Sequence, residues 1–456
     1  MNKAYYSRLM LVLGLLAGWL GGCNDVCRQT LTYTIYEPVY MTREELKAAV
    51  RQQAPVPLVN PGKIYLKDNY LFINEVGKGI HVYNNANPAA PQQVTFINIP
   101  GNHDLAVLGD ILYADNAMNL VAFDISDPQN VRAVRQIDNA FPARFSNANG
   151  PASAVGYPGV VRWYDPATLV QPDLTRGVIV DWIKRDQKRV SSCDQPSDFQ
   201  SGWVNWGGNV MFAAADSRSA LAVAPPQNGG QPTAGIGGSM ARFTISQNHL
   251  YTIDETTMRV YDLALPADPA PGSAVNVGWG IETIFPYKDK LFIGSRTGMF
   301  IFDAANPAQP TQLSTFSHLQ SCDPVVVDDQ YAYVTLRSGP TCRNTTLNQL
   351  DVVDITDLRN PRLVKTYPMQ NPHGLGKDGN TLFVCEGEAG LKVFDAADVR
   401  AIDQNRLGTQ AIHSYDVIPF RNVAIVVGND GLYQYDYSDP KNLKLLSKIA
   451  VTQVKQ

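Results

Sequence analysis

Two histidines and four carboxylates stand at comparable places in a recurring sequence pattern: His103, Asp104, Glu282, Asp323, His373 and Asp416. Imidazole nitrogens and carboxylate oxygens brought to one level could coordinate a divalent metal, calcium or a transition metal, or grip a polar ligand. In the metal reading His103, Glu282, Asp323 and His373 are the ligands, and the chemistry is a metal-assisted hydrolase or lyase. In the plainer reading these side chains are solvated or bond neighbouring backbone, and the sequence favours it. No nucleophile stands out, because GxSxG, HExxH and Walker sequences are all missing. The one GxGxxG match, from Gly374 to Gly379, leads into a β-turn and a strand, so it offers no helix N-terminus to a pyrophosphate.

The elements that must position these residues come from a repeat. Apolar pairs opening at Leu71, Leu112, Leu250, Leu291, Ala332, Leu382 and Ala424 are spaced by 41, 138, 41, 41, 50 and 42 residues. The two long spacings are single units carrying insertions, so there are seven units. After each apolar strand pair comes a phrase such as VAFDISDPQNV from Val121, DVVDITDLRNP from Asp351 or YQYDYSDPKNL from Tyr433. Asp or Asn bonds its own backbone two residues on and Pro presets the next torsion, which makes the phrase a turn. Short alternating runs with hairpin turns fit four strands into each period, the length of a propeller blade and longer than a β-solenoid repeat. The expectation is an all-β chain: a seven-bladed β-propeller of four-stranded blades, with a long insertion after the second blade. The blades fall near 62–100, 101–138, 238–279, 280–321, 322–371, 372–411 and 412–451, and the insertion covers 139–237. Nine positions before each anchor, Gly62, His103, Ala241, Glu282, Asp323, His373 and Tyr415 then share one level of the innermost strands. His413 lies close in sequence to the last of them.

The address is at the N-terminus. A basic start, an apolar run from Leu9 to Trp19 and the sequence Leu20-Gly21-Gly22-Cys23 read as a lipoprotein signal peptide over 1–22, with lipidation at Cys23. Asn24 rather than Asp follows, which suits an outer-membrane lipoprotein, periplasmic or surface-exposed. The membrane is thus one expected partner. A net charge of -4 without a Lys/Arg run excludes nucleic acid as the partner, which would require a basic footprint.

Residues 23–61 form the tether and lead-in. Leu31 to Tyr36 alternates like a strand that could close the ring in the last blade, although Leu443 to Ala450 already supplies that blade with a fourth strand. Thr42-Arg43-Glu44-Glu45 is a capping box opening a short helix. The insertion carries Trp163, Tyr164, Trp203 and Trp206 around an apolar run, Gly177 to Ile183, and reads either as an aromatic platform or lid beside the channel or as a decorated edge. Acidic loops at Asn74-Glu75, Asp115-Asn116, Asp254-Glu255 and Glu386-Glu388 should open on one face, where they would suit calcium or a cationic partner, or simply water. Among the cysteines, Cys322 and Cys342 fall on the same face of the fifth blade and are expected to pair. Cys27 and Cys193 would tie the tether to the insertion, and Cys385, beside Phe383, reads as a buried thiol.

The stretches TYTIYEPVYMTREEL, PGKIYLKDNYLFINEVGKGIHVYN, NIPGNHDLAVLGDILYAD, GSMARFTI, CDPVVVDDQYAYVTLRSG and YPMQNPHGLGKDGNTLFVCEGEAGLKVFDA resemble, in this order, the LVIVD-repeat lipoproteins of Bacteroidetes-type bacteria. The resemblance covers nearly the whole chain and implies a propeller at the cell envelope. It assigns no catalytic residues. The reading carried forward is a binding or scaffolding module for an envelope protein or glycan, with no catalytic activity evident.

Overall fold

The computed structural model describes residues 28–141, 173–192, 234–318, 324–338 and 347–452. Contacts divide the chain into a small unit, Met1–Glu37 with Trp163–Val170 and Lys184–Asp216, and a large one, Pro38–Arg162 with Gln171–Ile183 and Ser217–Gln456. The large unit is the seven-bladed β-propeller. Its innermost strands are Pro61–Lys67, Leu105–Leu108, Phe243–Ser246, Ile281–Tyr287, Val325–Val327, Leu375–Asp378 and Ser414–Phe420, and each opens an antiparallel blade of four consecutive strands. Neighbouring inner strands touch in chain order, and the seventh blade returns to the first.

Successive strand residues point to opposite faces of a sheet. Both faces of a blade are covered by its neighbours, so its strands read as unbroken apolar runs. In the sixth blade Leu382 and Val384 join the fifth blade's Tyr333, Val352 and Tyr367, whereas Phe383 and Cys385 join the seventh blade's Val417, Val426 and Tyr435. The core is therefore a ring of sandwiches between blades.

The repeated turn behaves as its chemistry requires. Asn84, Asp124, Asp262, Asp303, Asp354, Asp395 and Asp436 each accept, through Oδ1, the amide two residues on, at 2.8–3.0 Å. Asp262, in the third blade, belongs to this set although its surroundings had hidden it from the sequence pattern. The turns also join blades. Tyr113 donates its hydroxyl to Pro266 O at 2.7 Å, Tyr251 to Pro307 O at 2.9 Å, Tyr367 to Val399 O at 2.6 Å and Ser447 to Pro88 O at 2.6 Å. Each outermost strand also carries a register shift against its neighbour. Bulges of this kind twist a free edge away from further pairing.

The ring is not closed by the lead-in strand. The strand Arg28–Met41 pairs instead with Val178–Ser192 of the insertion, and the last blade owns its fourth strand, Lys444–Ala450. Closure comes from a cluster in which Ile64, Leu66 and Leu71 of the first blade meet Ile418, Ile425 and Leu432 of the seventh. The helix Arg43–Ala49 carries the expected capping box at Thr42 and Glu45. Beyond it, Arg51–Gln53 extends the outer edge of the first blade, and the Gln52 side chain donates to Gln129 O and accepts from the Val131 amide, both at 2.7 Å.

The insertion is shorter than its sequence suggests at both ends. Phe141 is buried in the second blade's core, and its amide donates to Met118 O at 2.9 Å. At the far end, Ile236–Gly237 pairs with Leu66 and Tyr65 on the inner edge of the first blade, so the returning chain runs inside the ring.

Candidate functional site at the inner-strand entrances

The inner strands begin irregularly. Between Pro61 and Ile64, Ile281 and Thr283, and Ser414 and Asp416 the register with the second strand slips, which leaves an extra residue at each start. Such a bulge re-aims the side chains around it. As a result, two adjacent levels share the inward position, the one at Glu282 and Tyr415 and the one a residue later. The later level holds Asp416, Lys63, Asp104 and Arg242 in four successive blades, seven, one, two and three. Their charges alternate. Lys63 and Arg242 lie outside the expected set because the count from the anchors stops one residue short of them; moving it by one residue finds both.

The chain returning from the insertion crosses this level. Gly235 donates its amide to Val107 O at 3.0 Å and Gly238 to Ile64 O at 3.4 Å. Ser239, fully enclosed, donates its hydroxyl to Asp416 Oδ1 at 2.9 Å and accepts the Leu375 amide at 2.9 Å. Lys63 Nζ donates to Met240 O, and Ala241 O accepts the Ile284 amide at 2.9 Å. One short segment thereby bonds the inner strands of five blades. Close packing fixes it: a Cβ on Gly238 would lie 2.0 Å from Asp416 Oδ2, and one on Gly374 2.2 Å from Oδ1.

Burial dominates the electrostatics. Asp416 is 4 % exposed, and desolvation pushes its carboxyl up to about 6, with the Lys63 ammonium and the Ser239 bond pulling the other way. Desolvation likewise lowers the Lys63 ammonium, against the pull of Asp104. Arg242 is held below its ordinary value by burial, with Glu282 and Asp104 opposing.

Of the expected site residues, Asp104 and Asp416 belong to this cluster. Asp104 Oδ1 accepts the Leu105 amide at 2.7 Å and Oδ2 accepts the Arg242 amide, joining the second and third blades. The His103 amide donates to Asp115 Oδ1 at 2.8 Å. Glu282 accepts from Arg296 Nε at 2.8 Å. His373 is stitched by backbone: its amide reaches Cys385 O at 2.7 Å and its carbonyl accepts from Thr335 at 2.6 Å. The His373 ring stands edge-on to Tyr415 at 5.2 Å, and Tyr415 lies 4.8 Å from the ring of His413. Burial, then Arg337 and His413, lower the His373 imidazole to about 3, so it is neutral at pH 7. Asp323, Cys23, and the cysteines expected to pair, Cys322 with Cys342 and Cys27 with Cys193, lie outside the described residues. Among the described residues no three His, Cys, Asp or Glu side chains come together in a metal-holding group.

The acidic loops are a correction in part. Asn74, Glu75, Asp115, Asn116, Asp254 and Glu386 are buried rather than displayed to solvent, whereas Glu255 is half-buried and Glu388 is exposed. The buried carboxylates among them accept backbone amides at the ends of strands, while Asn74 and Asn116 donate their side-chain amides, to Asn102 Oδ1 at 2.6 Å and to Pro100 O at 2.7 Å. Glu75 accepts the Val59 and Asn60 amides at 2.9 and 2.6 Å and bonds His81 Nε2 at 2.9 Å. Asp254 takes the Thr256 and Thr257 amides, and Glu386 takes the Gln370 amide and the Lys392 ammonium. Sequence alone cannot tell a carboxylate that caps amides from one that meets water.

The architecture is that of a β-propeller whose centre is crossed by its own chain. Residues 102–137 and 321–368 match the LVIVD repeat, so repeats of the kind read from the sequence are present in these two segments of the propeller. No curated protein matches the chain. Similar solved structures include the computationally designed Ika8 protein, 10% identical, covering 88% of this chain and 95% of that one with a TM-score of 0.46. Sqt1 of Saccharomyces cerevisiae is 5% identical over 88% and 89% of the two chains, with a TM-score of 0.47. BamB from Moraxella catarrhalis is 10% identical over 91% and 88%, with a TM-score of 0.41.

Proposed function

We propose that this chain is a binding or scaffolding module for an envelope protein or glycan, held at the outer membrane by lipid on Cys23. The observation that carries the binding reading is the use of the carboxylates at the inner-strand entrances. Asp104, Glu282 and Asp416 are engaged with the protein's own amides, hydroxyl and guanidinium groups, an arrangement that braces the ring behind the face on which the inner strands begin. A rigid, loop-bearing face on a propeller ring is suited to recognition. The lipid anchor rests on the Leu20-Gly21-Gly22-Cys23 sequence.

The test has two arms. The Cys23→Ala protein should move from the membrane to the soluble fraction and lose its N-terminal acyl mass; membrane retention of that variant would remove the anchor. A soluble fragment from Asp25 should keep its melting temperature in chelator, and the His103→Ala/His373→Ala variant should carry no less metal than the parent. A stoichiometric metal lost in that variant would replace the binding reading with the hydrolase or lyase one.

A further inference from the structure

We propose that residues 234–241 are a pH-sensitive strap across the ring interior, seated while the Asp416 carboxyl carries a proton and loosened once it ionises. The segment comes back from the insertion, pairs with the inner edge of the first blade and enters the third blade at Phe243. Its hold on the sixth and seventh blades passes through one hydroxyl. Ser239, 3 % exposed, donates to Asp416 Oδ1 and accepts the Leu375 amide, both at 2.9 Å.

The geometry around Asp416 favours the acid form. Oδ1 accepts the Ser239 hydroxyl and the Val417 amide, the latter at 3.0 Å, whereas Oδ2 is buried with no hydrogen-bond partner. An enclosed carboxylate oxygen without a donor is costly to ionise. A proton on Oδ2 removes that cost and leaves both bonds to Oδ1 intact. The seated strap is itself part of the enclosure: a Cβ on its Gly238 would fall 2.0 Å from Oδ2, and one on Gly374, across the carboxyl, 2.2 Å from Oδ1. Lifting the segment is therefore what brings Oδ2 to solvent, where the carboxylate is stable.

The sign of the pH dependence follows. The titratable groups that face Asp416 are Lys63 from the first blade and the Cys385 thiol from the sixth. The Lys63 ammonium, the Ser239 hydroxyl and the nearby amides favour ionisation, yet burial outweighs them and the carboxyl stands at about 6 instead of 3.8. Between these values the seated state holds a proton that the lifted state has released. The strap thus grips most firmly in acid, loses grip as pH rises and is loosest above about 6. Lifting it uncovers the inner edge of the first blade at Tyr65 and Leu66.

Hydrogen exchange of the full-length protein in detergent, read as protection factors at pH 5 and pH 7.5, tests the strap. Protection of the 234–241 amides and of Leu375 should fall about tenfold from the lower to the higher pH. That of the fifth-blade residues Val334 and Val352, fully buried, should not fall. Asp416→Asn, which keeps an oxygen for Ser239 and cannot ionise, should abolish the change with Lys63 and Cys385 still in place, and His373→Gln should retain it. The inference is overturned if protection of 234–241 in the parent is the same at both pH values, if it falls equally in the fifth blade, or if Asp416→Asn behaves as the parent does. The first two comparisons need no variant, so they decide the matter even where Asp416→Asn fails to fold.

Discussion

Asn85 and Gln434, 349 positions apart in the chain, exchange two side-chain hydrogen bonds: the Asn85 amide donates to Gln434 Oε1 at 2.8 Å, and the Gln434 amide donates to Asn85 Oδ1 at 2.7 Å. Both are buried where the seventh blade meets the first. Among the described residues no N-terminal strand completes the last blade, so this pair contributes to the closure together with the apolar cluster beside it and the Ser447 bond to Pro88 O. Replacing one partner strands the other inside protein, which costs about 1–3 kcal/mol. Gln434→Ala and Asn85→Ala should each lower the urea midpoint, and the double variant should lose much less than the sum. Additive losses would mean the two amides do not act as a pair.

Ser239 holds the returning chain to two blades with one hydroxyl, accepting from Leu375 and donating to Asp416. Ser239→Ala leaves a buried amide and a buried carboxylate oxygen with fewer partners, at about 1–3 kcal/mol. The loss should be local. Proteolysis within residues 234–241 is expected to accelerate before the ring unfolds. Equal cleavage rates in the two proteins would show that the segment is held by its strand pairing alone.

Acid stability should depend on His373. Its folded value, about 3, lies below the unfolded one, near 6.5, so between these pH values the unfolded chain binds the extra proton. The stability this group contributes is complete above pH 6.5 and falls as pH drops, by about 2 kcal/mol at pH 5. Asp416 works in the opposite sense. Its folded value is raised to about 6, so its protonation offsets part of the loss in the same range. His373→Gln should therefore unfold less readily than the parent, relative to neutral pH, when both are taken to pH 5. Parallel stability curves would show that the imidazole is not desolvated.

The blades were legible because the turn announces itself: an Asx side chain bonding two residues on leaves Asp or Asn at a fixed place in every period, as Asp124 and Asp436 show. What stayed hidden depends on tertiary placement. A two-residue strand such as Ile236–Gly237 carries no periodicity, so nothing local says that it lies inside the ring. The charged level lies one residue beyond the count from the anchors, behind a bulge in the first blade, so Lys63 and Arg242 escaped while Asp104 and Asp416 were found.

Cys385 offers a probe of the sixth and seventh blades. It is free and fully buried among Phe383, Leu391, Val393 and Val426. Burial, reinforced by the Asp416 carboxylate, raises its thiol well above the ordinary range. Thiolate is the nucleophile, so a thiol that is both covered and hard to ionise should be inert in the folded protein. Iodoacetamide labelling read peptide by peptide should leave Cys385 unmodified at pH 8 in buffer and modify it fully in denaturant. Cys385→Ala should cost roughly 1 kcal/mol, as a small cavity in a packed sandwich does. Rapid labelling of Cys385 in buffer would mean that the contact between these two blades opens well below global unfolding, and would make that interface, rather than the Asn85–Gln434 closure, the weakest part of the ring.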